Sequence, residues 1–229
     1  MQVRIILQQQ NGRYSMSELK AFIFDLDGVI VFTDRFHYLA WKKMADELGI
    51  HFDEEINHRL RGVGRMESLE IILERYEGEP LSDEKKHEFC TYKNDIYREY
   101  LSTMTPDDVS DDVRSTLAEL RARGYKTALG SSSKNAKYIL EQIGLTDAFD
   151  AISDGTNITR SKPDPEVFIK AAEFLGLEPS ECAVVEDAAA GIDAANAGGF
   201  TSIGIYEAAK YGRTDIPIEK FTNLLTSPF

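Results

Sequence analysis

Long apolar runs are missing from this 229-residue chain. No stretch approaches the roughly 18 residues that a membrane span needs. The first residues, MQVRIILQQQNGRYSMSELK, also lack the longer apolar run and small-residue cleavage site of a secretory signal. A cytoplasmic location is therefore expected. Cysteine is scarce: Cys90 and Cys182 are the only two, far apart, which excludes a disulfide framework and fits a reducing compartment. Positive charge is in short supply as well, with 26 Lys and Arg against 39 Asp and Glu and a formal net charge of −13. That balance argues against nucleic acid or an anionic membrane as partner. A small anionic ligand stays open, because local cations or a metal can override the global field. Internal repeats and low-complexity tracts are absent, and a monomer is expected.

What the chain does have is 42% hydrophobic residues, enough in this length for one large domain or two modest ones. Five segments read as buried strands: AFIFDLD, YKTALGS, DAISD, CAVVED and TSIGI. Each is short, apolar and bounded by turn formers, as parallel strands covered on both faces tend to be. Helical patterns separate most of them. Ser110, Asp111 and Asp112 open one that closes on Arg121, Arg123 and Gly124, with acids at the positive dipole end and bases at the other. Asp164-Pro165 opens a second that stops near Gly176, and AAAGIDAANAGG supplies a third. This alternation implies an α/β fold, a Rossmann-like doubly wound parallel sheet.

Residues 33–103 break the rhythm, with several helical patterns and no convincing strand. In HYLAWKKMADELG, His37, Trp41, Met44, Ala45 and Leu48 share one face; MESLEIILERY and EFCTYKNDIYREYL behave similarly. A helical domain is thus expected as an insertion into a core made of residues 1–32 and 104–229, tethered at both ends and placed to act as a lid. Residues 1–15 form a possible extension without assigned function. Asn157-Ile158-Thr159 matches a glycosylation sequon by chance.

In open parallel sheets, ligands bind beyond the carboxyl ends of the strands. The first strand ends in Asp25 and Asp27, the second in Ser131, Ser132, Ser133 and Lys134, and the fourth in Glu186 and Asp187; Lys162 follows the third. Two carboxylates about 4 Å apart repel by about 4 kcal/mol at an effective dielectric near 20, so something nearby must offset them. Asp25, Asp27, Glu186 and Asp187 offer the oxygen ligands that Mg²⁺ prefers. Ser131 and the amides at its helix start suit phosphate oxygens, and Lys162 can neutralise more of their charge. Asp25, ionised at neutral pH, can attack phosphorus, and Asp27 can pass protons to and from the substrate oxygen. Each residue alone also fits a turn former, a helix cap or a solvated charge. Four placements on one edge, in order, make coincidence improbable.

The insertion speaks more softly. In RGVGR, Gly62 and Gly64 flank a loop ending in Arg65. No strand precedes it and the last glycine of a dinucleotide fingerprint is missing. Arg65 can bind a second phosphate bidentately, or be a surface arginine. His37 and Trp41 on one helical face fit core packing.

With these residues assembled, the chain resembles the haloacid dehalogenase superfamily of phosphotransferases from Lys20 to Ile205. DLDGVI, GSSSKN, SKPDP and VVEDAAAGIDAANAG are similar to its four motifs in order. The helical insertion resembles the cap that follows the first motif in one large subgroup. TDRFHYLAWKKMADELGI, LRGVGRMESLEIIL and YKNDIY are similar to cap segments of its phosphosugar mutases.

The resemblance implies that Asp25 forms an aspartyl-phosphate and Asp27 is the general acid and base. Asp25, the Asp27 backbone carbonyl, Glu186 and Asp187 would surround one Mg²⁺, with Ser131 and Lys162 on the transferring phosphoryl group. Arg65, Gly62 and Val63 would hold a remote phosphate, and Ser133, Lys134 and Asn135 would contact substrate. Trp41 and Ser68 would line the sugar side. Thr33, His37 and Lys93 would couple cap closure to Asp27. Phe32 departs from the resemblance, standing where an acid is common at the hinge, and Ser132 replaces a frequent alanine.

The implied reaction interconverts β-glucose 1-phosphate and glucose 6-phosphate through β-glucose 1,6-bisphosphate, which serves as activator and intermediate. A sugar-phosphate phosphatase would share the same core. A receiver that merely stores phosphate on an aspartate would need neither Asp27 nor a lid.

Overall fold

The computed structural model describes residues 6–10, 13–17, 19–60 and 64–226. The chain divides into two compact units, one of residues 1–32 and 105–229 and the other of residues 33–104. Among the described residues, no helix is long and apolar enough to cross a membrane.

The first unit opens with an antiparallel pair, β1 (Ile6–Gln10) and β2 (Arg13–Ser17). Its main body is a six-stranded parallel sheet. The strands are β3 (Ala21–Phe24), β4 (Lys126–Gly130), β5 (Ala151–Ser153), β6 (Cys182–Glu186), β7 (Thr201–Ile205) and β8 (Ile216–Ile218). They lie in the order β5-β4-β3-β6-β7-β8. From β3 the chain builds outward on one side through β4 and β5, then returns to β3 and builds outward on the other. The topological switch falls between β3 and β6, and a crevice is expected at their carboxyl ends.

Every residue of β3 and β6 is buried, as central parallel strands demand. On one face, Ile23, Ala128 and Val184 pack with Phe168, Ala171 and Ala194. The latter three come from α7 (Glu166–Leu175) and α8 (Ala189–Ala197). On the other face Phe24 meets Phe149 and Phe221 at ring separations of 6.3 and 5.6 Å. The helix α5 (Asp111–Ala122) starts where expected, with Ser110 Oγ accepting from the Val113 amide.

β8 is a strand that the sequence reading lacks. Its Pro217 pairs in register with Gly204 at the sheet edge, where a missing N–H is tolerated.

The second unit holds α1 (Asp34–Glu47), α2 (Glu54–Arg59), α3 (Arg65–Leu73) and α4 (Asp83–Leu101), with no strand among its described residues. Trp41, Met44, Ala45, Ile56, Leu69 and Ile72 form its core. The short α2 was not anticipated; Asp53 caps it, its carboxylate accepting from the Ile56 amide. The remaining helix, α6 (Ala136–Gln142), follows β4 in the first unit.

Candidate active site

Parallel pairing aligns Phe24 with Val185, so the residues after β3 and at the end of β6 emerge side by side. The Asp25 amide extends the ladder by one bond to the Val185 carbonyl, at 3.0 Å. Asp25 and Glu186 are thereby buried neighbours. With Asp187 they form a cluster in which one carboxylate oxygen from each lies within 4.8 Å of the others.

Two glycines make room for this crowding. A Cβ on Gly191 would fall 1.9 Å from the Glu186 carboxyl carbon, and one on Gly28 would fall 2.2 Å from Asp187 Oδ2. Gly28 also takes a positive φ of 93° that other residues rarely adopt. Asp27, just before it, is half-buried and bridges to Val31.

Lys162 reaches this cluster from the loop between β5 and α7. Its Nζ lies 2.5 Å from Asp25 Oδ1 and 2.5 Å from Glu186 Oε1. The loop is held by Glu166, which accepts from the amides of Thr159 and Arg160. Below the ammonium, 4.6 Å away, lies the Phe168 ring. That ring fits because Gly130 has no side chain: a Cβ there would be 2.6 Å from it. Lys162 therefore answers part of the repulsion problem itself, a role additional to the phosphate contact expected of it.

The charges confirm how tightly the groups are linked. Burial pushes Glu186 up to about 7, Lys162 pulling it down and Asp25 pushing it up. Burial, Glu186 and Asp25 push Asp187 up to about 8. Burial alone would lower Lys162, but the Asp25 and Glu186 carboxylates outweigh it and raise its pKa. Three clustered carboxylates with one lysine leave an acid excess that favours protons or a cation. Oxygen-only donors of this kind suit a hard ion such as Mg²⁺. Asp187 is free for that role, because Ala188, not Asp187, is the N-cap of α8. Glu186 Oε2 meanwhile accepts from the amides of Asp187 and Ala188.

The serine loop lies after β4. Ser131 is buried, its amide donating to the Ser153 carbonyl and its Oγ accepting from the Ser133 amide. Ser133 Oγ accepts from the amide of Asn135, the buried N-cap residue of α6, while Lys134 is exposed. These turns order the loop without a side-chain cap on α6. Gly155 packs against it, a Cβ there falling 2.3 Å from the Ser132 carbonyl oxygen. Ser132 Oγ is buried and has no hydrogen-bond partner among the described residues.

In the helical unit, Lys93 Nζ lies 2.9 Å from His37 Nδ1 and 4.7 Å from the Trp41 ring centre. An ammonium only donates, so His37 Nδ1 accepts and the imidazole is neutral. Burial, with Lys93 and Arg65 nearby, holds the His37 pKa well below its usual value. The His37 ring stacks on Tyr97 at 4.1 Å. Thr33 is the N-cap residue of α1, its carbonyl accepting from the His37 amide, and Ser68 is buried in α3. Trp41 belongs to the core of this unit, as its helical face suggested. Arg65 opens α3 and donates to Asn94 Oδ1 at 2.8 Å. Gly62 and Val63 lie outside the described residues.

Sequence reasoning passed over Gly191, Gly130, Phe168 and Asn94. The first three betray themselves only through packing, and Asn94 through a hydrogen bond between two helices.

Residues 19–199 match the haloacid dehalogenase-like hydrolase family. The chain belongs to that family. It is 39% identical over 207 residues to a β-phosphoglucomutase of Bacillus subtilis, covering 90% of this chain and 92% of that protein. A fructose-1-phosphate phosphatase of Escherichia coli is 29% identical over 184 residues, covering 80% and 94%. Among solved structures, a β-phosphoglucomutase of Clostridium difficile superposes with a TM-score of 0.81 at 37% identity, covering 90% of this chain and 93% of that one.

Proposed function

We propose that this chain is a phosphosugar mutase interconverting β-glucose 1-phosphate and glucose 6-phosphate through β-glucose 1,6-bisphosphate. The observation that carries this reading is the 39% identity to a β-phosphoglucomutase across nine-tenths of the chain, helical unit included. The phosphatase relative is more distant at 29%.

Asp25 attacks phosphorus through a carboxylate oxygen, and the bond to the sugar oxygen breaks as an aspartyl-phosphate forms. Asp27 gives that departing oxygen its proton and takes one from the hydroxyl that attacks next. Ser131 and Lys162 hold the phosphoryl oxygens during transfer. Asp25, the Asp27 carbonyl, Glu186 and Asp187 hold Mg²⁺. When bound, the ion supplies positive charge that offsets the clustered carboxylates and the phosphoryl oxygens. Ser133, Lys134 and Asn135 contact the substrate, and Trp41 and Ser68, buried in the helical unit, back its sugar side.

Transfer to a sugar rather than to water requires that the sugar be favoured. Arg65, with Gly62 and Val63, holds the phosphate that does not react, and water carries no such group. Binding energy at that remote phosphate is then available to align the reacting atoms and Asp27. Thr33, His37 and Lys93 transmit that alignment. β-Glucose 1,6-bisphosphate presents either of its ends to Asp25, which makes it both intermediate and activator.

The test is a product assay. β-Glucose 1-phosphate is supplied with Mg²⁺ and a trace of the bisphosphate, and glucose 6-phosphate and free phosphate are both measured. Glucose 6-phosphate is expected as the main product. Predominant free phosphate would reject the mutase and leave a sugar-phosphate phosphatase.

A further inference from the structure

Five cations of the helical unit are matched with acids. Lys42 pairs with Asp46, Arg59 with Glu74, Arg75 with Asp53, Lys85 with Glu88 and Lys86 with Glu70. Arg65 is different. Its guanidinium donates through Nη2 to the amide oxygen of Asn94, 2.8 Å away, and it has no salt bridge among the described residues. Asp95, the next residue of α4, acts on it only through space. Arg65 is the first residue of α3 and Asn94 lies within α4, so the bond fixes the guanidinium across a helix–helix contact.

An arginine that must receive a phosphate faces two opposing needs. Holding its fork in one place lowers the entropy lost on binding. Holding it with a carboxylate would neutralise the charge on which binding depends. A neutral amide oxygen meets both needs. It takes one N–H of the guanidinium and leaves the remaining donors and the full charge for an anion.

We propose that Asn94 is a positioning residue for the remote phosphate of the substrate, orienting Arg65 without discharging it. The proposal rests on the assignment of Arg65 in the mutase reading above. It makes the neutrality of position 94 a determinant of substrate choice, favouring phosphosugars that bear a second anionic group over small phosphate donors.

The experiment compares the unaltered chain with Asn94→Gln, Asn94→Ala, Asn94→Asp and Arg65→Ala, all with saturating Mg²⁺. The readout is kcat/KM for β-glucose 1-phosphate divided by kcat/KM for acetyl phosphate hydrolysis, which needs no remote phosphate. The ratio should fall in the order Asn, Gln, Ala, Asp. Asn94→Ala should lower it by about 10-fold or more, the size of a hydrogen bond to a charged group. Asn94→Asp should lower it by roughly 3-fold beyond that, as an exposed ion pair competes with the phosphate. Adding Asn94→Asp to Arg65→Ala should change little, because the two residues act as one unit.

Asn94→Asp equal to or better than Asn94→Ala would overturn the role of neutrality and with it the proposal. So would Asn94 variants that match the unaltered chain while Arg65→Ala loses the preference, an outcome that leaves the mutase reading standing. An Arg65→Ala enzyme that keeps the preference would remove both the remote-phosphate assignment and the proposal. Should Asn94→Asp fail to fold, the order of Gln and Ala decides: Ala equal to Gln and to the unaltered chain overturns it.

Discussion

Lys162 Nζ stands 2.5 Å from the carboxylates of both Asp25 and Glu186, one ammonium shared between the ends of two adjacent strands. All three side chains are largely withdrawn from water, with 12%, 10% and 2% exposure. Breaking one side of a buried ionic contact strands the other. Lys162→Met should destabilise the metal-free protein by about 3 kcal/mol, measured by urea unfolding in EDTA near pH 8. Near pH 5 the loss should shrink, since the stranded carboxylates can take up a proton. An unchanged midpoint at both pH values would show that Lys162 carries no structural load.

The acid cluster fixes a pH dependence. Asp187 titrates near 8 and Glu186 near 7 in the folded chain, against 3.8 and 4.5 for the free groups. The folded state therefore binds more protons than the unfolded state between those limits, and stability of the metal-free protein falls as pH rises through them. Mg²⁺ binds the ionised carboxylates, so its stabilisation should grow over the same window. Thermal midpoints with EDTA and with Mg²⁺ should diverge as the pH is raised from about 5 to about 8. Parallel curves would contradict the cluster as the metal site.

Gly191 has no room for a methyl group beside Glu186, whereas Gly176, with φ of 69°, opens onto empty space. Gly191→Ala should displace the Glu186 carboxylate and cost about 2 kcal/mol or more through overpacking. Its Mg²⁺ affinity by calorimetry should drop at least about 10-fold, in line with lost support of a metal ligand. Gly176→Ala should cost about 1 kcal/mol from left-handed strain and leave Mg²⁺ affinity unaltered.

In the proposed mechanism Asp27 lends its backbone carbonyl to the metal site and its carboxyl to proton transfer, so the two functions should separate on substitution. Asp27→Asn should bind Mg²⁺ with near-normal affinity while mutase turnover falls by at least ~10², the low end for general acid–base catalysis. A variant with normal turnover would take the proton-transfer role from Asp27.

The sheet was legible where burial on both faces leaves an apolar run, as in AFIF and CAVVE, and the site was legible because strand ends converge on one edge. β8 was hidden by its brevity and by Pro217, which reads as a break until an edge position is known. The β1–β2 pair carries a short-range signal in its sequence: Asn11-Gly12 stands between Gln10 and Arg13, which pair in register. The carboxylates were found one by one, but their sharing of Lys162 depends on a loop conformation set by Glu166, which no spacing rule encodes. Similarly, no periodicity shows that Asn94 on one helix meets Arg65 on another.

The chain contains a single tryptophan, Trp41, with the Lys93 ammonium 4.7 Å from its ring centre. A cation over an indole shifts its emission, so this residue is an intrinsic optical reporter on one unit of the protein. Any ligand that draws Lys93 away from the ring changes the signal without a label. Titrating phosphosugars against tryptophan fluorescence would thus follow occupancy in the helical unit separately from chemistry at Asp25.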